Sequence, residues 1–180
     1  MFDIKEIKEP LSLNEALKEL DDNKGLKIIC GGTDVLIKLH HGKMNDTELL
    51  SIKNINSLKE IKVLEDNTIS IGSAVTFSDI FRNDIINTCI PILSEAAVSM
   101  GGPQIRNMAT IGGNVCNGAV SADSAPALFS LNALLKIKSL NGERIVNITD
   151  FYEGPGKVKI KENEILTEIL IKEEDYKEKK

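Results

Sequence analysis

The chain has 180 residues, 42% of them hydrophobic, which is enough apolar material for one domain or two small lobes. Aromatics make up only 4%, Trp is absent, and the net charge of −5 lacks the basic excess of a nucleic-acid-binding face, which argues against such a partner. No apolar run reaches the roughly 20 residues of a membrane span. Cys30, Cys89 and Cys116 form no CxxC pair, so no metal or iron–sulfur site is expected, and with no signal peptide they point to a cytoplasmic, reducing setting.

The first predicted element is a helix over Leu13–Leu20, capped by Ser12 and apolar at Leu13, Ala16, Leu17 and Leu20. Leu26–Cys30 then reads as a buried strand, Gly31–Asp34 as a loop, Val35–His41 as a helix and Glu48–Ile52 as a strand. This β–loop–α–β order favours a small parallel sheet, with the loop at a strand's C-terminal end, where anions bind in α/β folds. Beyond Leu58 come a hairpin (Glu60–Leu64 with Ile69–Gly72), a helix over Thr76–Asn83 and another over Ile90–Met100 with Pro91 in its first turn. A glycine-rich stretch to Asp123 follows, then a helix over Ala125–Leu131. A second hairpin (Ala133–Ser139 with Arg144–Ile148) turns at Asn141-Gly142, and Ile165–Ile171 is a late strand. The expected division is a small α/β lobe over residues 1–56, an α+β lobe with a mainly antiparallel sheet over 57–173, and a charged, solvated tail over 174–180.

Gly31-Gly32, Gly101-Gly102 and Gly112-Gly113, with Gly118, take seven of the thirteen glycines. Glycine costs backbone entropy, so this clustering suggests backbone that turns tightly and lets an oxyanion approach. Thr33 is the expected side-chain ligand in the first loop, with Asp34 capping the helix after it. In the second stretch Thr110 can donate a hydroxyl, Gly112-Gly113 expose amides, Asn114 can donate from its amide, and Asp123 can accept from a ribose hydroxyl or a flavin edge. The arrangement suits a phosphate-containing cofactor, although neither loop matches GxGxxG or a P-loop. No nucleophile elbow or acid–base pair is visible, so no catalytic side chain is assigned and the chemistry is expected to reside in a cofactor.

These residues resemble a known family. Ile29–Asp34 (ICGGTD) is similar to the AGGTD segment of the FAD-binding subunits of molybdenum hydroxylases. Gln104–Asn117 (QIRNMATIGGNVCN) and Ala122–Pro126 (ADSAP) are similar to its other two signatures. The family includes subunits or domains of xanthine, carbon monoxide and nicotinate dehydrogenases and of 4-hydroxybenzoyl-CoA reductase. The resemblance implies the two-lobed FAD-binding fold shared with vanillyl-alcohol oxidase and p-cresol methylhydroxylase. FAD would lie between the lobes. Ile28, Ile29, Cys30, Gly31, Gly32, Thr33, Asp34 and Val35 would line its adenosine and diphosphate side. Ala109, Thr110, Gly113, Asn114 and Cys116 would line the diphosphate, ribityl and flavin side. Asp123 would contact its polar groups, Met100 would lie near the flavin, and Leu166 would touch the cofactor from the late strand.

The resemblance also implies an electron path. A molybdenum-cofactor subunit oxidises the substrate, an iron–sulfur subunit with two [2Fe–2S] clusters carries the electrons, and FAD passes them to NAD or another acceptor. Family members continue to a lysine near the flavin and a further domain of roughly a hundred residues, whereas this sequence stops at Lys180. The alternative reading is therefore a truncated, non-catalytic docking module of the same complex.

Overall fold

The computed structural model describes residues 3–177. The small lobe is built from β1 (Ile4–Lys8), α1 (Leu13–Asp22), β2 (Lys27–Ile29), α2 (Val35–His40) and β3 (Thr47–Ser51). Its three strands run parallel in the order β1-β3-β2. Parallel neighbours need crossovers, and α1 and α2 lie in the two connections. The central strand carries the buried pair Leu49 and Leu50. Ser12 caps α1 as expected, its hydroxyl accepting from Glu15 N at 3.2 Å. Strand β1 had no place in the sequence reading: IKEIK holds only two apolar residues, and this edge strand is mostly exposed.

The larger lobe follows in chain order. β4 (Ile61–Val63) and β5 (Ile69–Gly72) precede the helices α3 (Phe77–Arg82), α4 (Asp84–Cys89), α5 (Pro91–Ser99), α6 (Pro103–Arg106), α7 (Ile111–Asn117) and α8 (Ala125–Ser130). Then come β6 (Leu134–Ser139), β7 (Gly142–Asn147), α9 (Ile148–Phe151), β8 (Tyr152–Gly154), β9 (Lys157–Val158), β10 (Ile165–Ile171) and α10 (Glu173–Lys177). The main sheet, β4-β5-β10-β6-β7, is antiparallel throughout. Both hairpins form as predicted, and the late strand β10 inserts between them. All of β10 is buried except half-buried Glu168, which accepts from Ser70 Oγ at 2.8 Å and pairs with Lys136 at 3.2 Å. The α+β fold with a small parallel and a larger antiparallel sheet is the expected one.

Two hydrophobic clusters hold the molecule. The larger packs α3, α4 and α5, through Phe77, Ile80, Ile86 and Leu93, with the sheet residues Ile69, Ile71, Leu135, Ile137 and Ile169. The smaller joins α1 (Ala16, Leu17, Leu20) to Leu50 and Ile52 and recruits Leu58, Ala74 and Ile165 from the larger lobe's sequence. Burial of this kind stabilises by roughly 25 cal/mol per Å² of apolar surface removed from water.

The predicted capped helix over Thr76–Asn83 forms as α3 between its caps Thr76 and Asn83, and the Asn83 side chain, accepting from Ile85 N (3.0 Å) and Ile86 N (3.2 Å), starts the additional helix α4. Two expectations need correction. The glycine stretch to Asp123 is not one loop, since it contains α6 and α7. Residues 173–177 form a helix in place of a free charged end: Tyr176 is buried and its hydroxyl donates to Asn67 O at 2.7 Å. The rest of the predicted tail, residues 178–180, lies outside the described residues.

Candidate functional site

The first glycine element runs from the end of β2 through Cys30, Gly31, Gly32, Thr33 and Asp34 into α2. Gly32 has φ +74, a left-handed conformation that favours glycine. Gly31 has a different cause. A Cβ there would lie 1.9 Å from Met108 O and 2.7 Å from Met108 C, so only glycine lets this loop touch the chain leading into α7. The N–H groups of Gly31 to Asp34 make no hydrogen bond among the described residues. They are the free backbone donors of the site.

The second element differs from its sequence reading. Gly112 and Gly113 do not expose free amides, because they form the first turn of α7. Ile111 N donates to Val75 O (3.0 Å), Gly112 N to Ser73 O (2.9 Å) and Gly113 N to Thr110 Oγ1 (3.3 Å). A Cβ on Gly112 would lie 2.5 Å from Ser73 Cβ, so this glycine seats α7 against the turn after β5. A Cβ on Gly113 would meet only Thr110 Oγ1, at 3.0 Å. The buried Thr110 hydroxyl caps α7 and also bonds the Cys30 thiol. Among these two elements the unbonded backbone N–H groups are therefore those of the first loop.

Asn114 is oriented for donation. Buried Ser124 donates its hydroxyl to Asn114 Oδ1 at 2.6 Å, leaving the amide nitrogen for a ligand. Arg106 Nη1 donates to the carbonyls of Val98 (3.1 Å), Met100 (3.1 Å) and Gly101 (2.6 Å). It thereby closes the end of α5 and fixes Met100 at the cavity wall. The predicted capping role of Asp34 is not realised: its side chain makes no cap bond and pairs instead with Lys38 at 3.1 Å.

Between the two elements lies a cavity of about 540 Å³, within the range of small-molecule sites. It brings together Ile28, Ile29, Cys30, Gly31, Gly32, Thr33, Asp34, Val35, Met100, Ala109, Thr110, Gly113, Asn114, Cys116 and Leu166. Asp123 alone of the expected set is absent from the lining, and it is exposed. Lys38, Ser73, Asn117, Lys161, Glu164 and Ile165 also line the cavity and were missed by sequence reasoning. Only Lys38 had a visible signal, its i,i+4 spacing from Asp34.

Burial pushes the Cys116 thiol up to about 12, and it raises Cys30 against the opposing effects of its Thr110 hydrogen bond and of Lys59 and Lys53. Both cysteines are neutral, compact wall groups. Glu164 is held below the usual carboxylate range, first by its hydrogen bond from Arg144. That guanidinium is bidentate, with Nε–Oε1 at 2.9 Å and Nη2–Oε2 at 2.8 Å, and it fixes the chain entering β10. Among the described residues no group of three or more His, Cys, Asp or Glu is placed to hold a metal, and no helix is long and apolar enough to cross a membrane.

Free loop amides, a nearby ammonium, an oriented amide and an apolar wall of Ile28, Met100, Cys116 and Leu166 suit a ligand with a phosphate linkage and flat rings. Fold and site together define a two-lobed domain for a dinucleotide cofactor. Residues 3–171 match the family model described as the FAD binding domain in molybdopterin dehydrogenase, and the chain belongs to that family. It is 45% identical over 166 residues to the xanthine dehydrogenase FAD-binding subunit of Escherichia coli O157:H7, covering 92% of this chain and 57% of that one. It is 36% identical over 172 residues to the nicotinate dehydrogenase FAD-subunit of Eubacterium barkeri, covering 89% and 58%. The carbon monoxide dehydrogenase structure from Hydrogenophaga pseudoflava superposes with a TM-score of 0.91 at 27% identity, over 96% of this chain and 60% of that one. The chain thus spans somewhat more than half the length of these relatives.

Proposed function

We propose that this chain is the FAD-binding electron-transfer component of a molybdenum hydroxylase complex, working beside an iron–sulfur subunit and a molybdenum-cofactor subunit. The observation that carries the reading is the cavity of about 540 Å³ lined by both the Gly31–Asp34 loop and α7, inside a family of FAD-binding domains. Gly31 to Asp34 would hold the diphosphate with backbone amides, Asn114 would donate to the polar part of the cofactor, and Met100, Cys116 and Leu166 would shield its rings from water. Bound FAD would supply redox chemistry that the side chains lack, taking electrons from the partner's [2Fe–2S] clusters and giving them to NAD or another acceptor. The chain's own task is to bind, orient and desolvate. Its three unpaired cysteines suit a reducing compartment.

Titration of the purified chain with FAD, followed by flavin fluorescence and then by NADH–dye reduction, tests this. Saturable binding with turnover is the expected result. Binding without turnover would favour the docking-module reading, and no binding would overturn the site.

A further inference from the structure

We infer that Lys38 is a latch between the lobes, whose ammonium group exchanges Asn117 for the anionic linkage of the bound dinucleotide and screens that linkage from Asp34. The inference rests on the reading that the diphosphate lies along Gly31–Asp34.

Lys38 lies one turn beyond Asp34 in α2, and its ammonium sits between two acceptors: Asp34 Oδ2 at 3.1 Å and Asn117 Oδ1 at 3.0 Å. Asn117 is the last residue of α7, so this bond joins the helix after the first loop to the helix after the second, 79 residues apart. All three residues line the cavity. An ammonium has three donors, so one remains after the two bonds seen.

Charge gives the bond its meaning. The Asp34 carboxylate lies beside the free loop amides and caps nothing. Unbalanced, it would repel a diphosphate brought to those amides. Lys38 is its ion-pair partner. The other lysines of the lining are less suited: Lys27 opens β2, and Lys161 is accompanied by the lining carboxylates Glu162 and Glu164. Lys38 is about half exposed, so it can move from an amide oxygen to a phosphate oxygen without unfolding anything around it. Asn117 is neutral and releases the ammonium at little cost, whereas the phosphate offers a charge-assisted bond.

The test uses the whole chain and reads equilibrium binding of FAD, ADP and riboflavin at low and high salt. Lys38→Met should weaken FAD and ADP roughly tenfold, leave riboflavin unchanged, and flatten the salt dependence of ADP binding. Adding Asp34→Asn to Lys38→Met should recover part of the loss, and Lys38→Arg should bind nearly as the parent does. Asn117→Leu removes the bridge but keeps the charge, so ADP affinity should stay within about threefold. Lys38→Met binding ADP as the parent does, losing ADP and riboflavin equally, or matching Asn117→Leu would overturn the latch while leaving the FAD site intact. A parent chain that binds neither FAD nor ADP would overturn the site reading itself, and the latch with it.

Discussion

A Cβ on Gly31 would stand 1.9 Å from the carbonyl oxygen of Met108, closer than any van der Waals contact allows. The two lobes therefore meet backbone to backbone on one side of the cavity, and Gly31 sets how closely they approach there.

Gly31→Ala is expected to force the lobes apart. The obstructing atom is backbone, so no rotamer change relieves it, and the cost should be about 3 kcal/mol. Urea denaturation should show this loss together with loss of FAD binding. Unchanged stability would mean that the lobes slide freely over one another.

Gly113→Val should behave in the opposite way. Gly113 is exposed and a Cβ there meets only its own cap, Thr110 Oγ1, at 3.0 Å. Crowding of the Thr110 cap should cost folding about 1 kcal/mol, partly offset by the better helix propensity of valine, while FAD affinity falls far more because the added side chain enters the cavity. Equal losses of stability and affinity would assign the glycine a structural role.

This contrast marks what was legible in the sequence. The cavity region was, because the adjacent pairs Gly31-Gly32 and Gly112-Gly113 that line it stand out from a chain otherwise sparing with glycine, and β10 was because Ile165–Ile171 is apolar almost throughout. The division of labour among the glycines was not. Gly31 and Gly112 answer to Met108 and Ser73, contacts distant in sequence that local pattern does not encode. The helix α7 was read as loop because glycine is a poor helix former, and the Thr110–Gly113 cap that offsets this was not recognised. Strand β10 was seen, but its place between the hairpins depends on pairing such as Ser70 with Leu170, which no local turn specifies.

Acid should weaken the sheet through Glu164. The Arg144 hydrogen bonds hold the Glu164 carboxyl below its ordinary value of 4.5 in the folded chain. A lowered folded value means that the unfolded chain takes up the proton first. The stabilisation is thus complete above about 4.5 and is lost as pH falls through the lower folded value. Glu168 acts in the same direction: burial opposes its ionisation, but the bonds from Ser70 and Lys136 outweigh it. Urea midpoints measured down the acid limb should fall steeply for the parent chain. Glu164→Gln should lower stability at neutral pH by about 1–3 kcal/mol and flatten the acid limb. An unchanged slope would mean that the pair with Arg144 contributes nothing to folding.

The Cys116 thiol should be inert in the folded chain. Its burial raises it to about 12, so at pH 8 only on the order of one molecule in ten thousand carries the reactive thiolate. Its place in the wall beside Asn114 and Leu166 is then uncharged around neutral pH, which suits contact with an aromatic ring. In a variant carrying Cys30→Ala and Cys89→Ala, iodoacetamide at pH 8 should label Cys116 orders of magnitude more slowly than in urea. Added FAD should slow the folded reaction further, because the cofactor would cover the cavity face of the residue. Labelling of the folded variant at the denatured rate would show the thiol open to water and remove Cys116 from the cofactor wall. A slow rate that FAD leaves untouched would keep it in the core but away from the ligand.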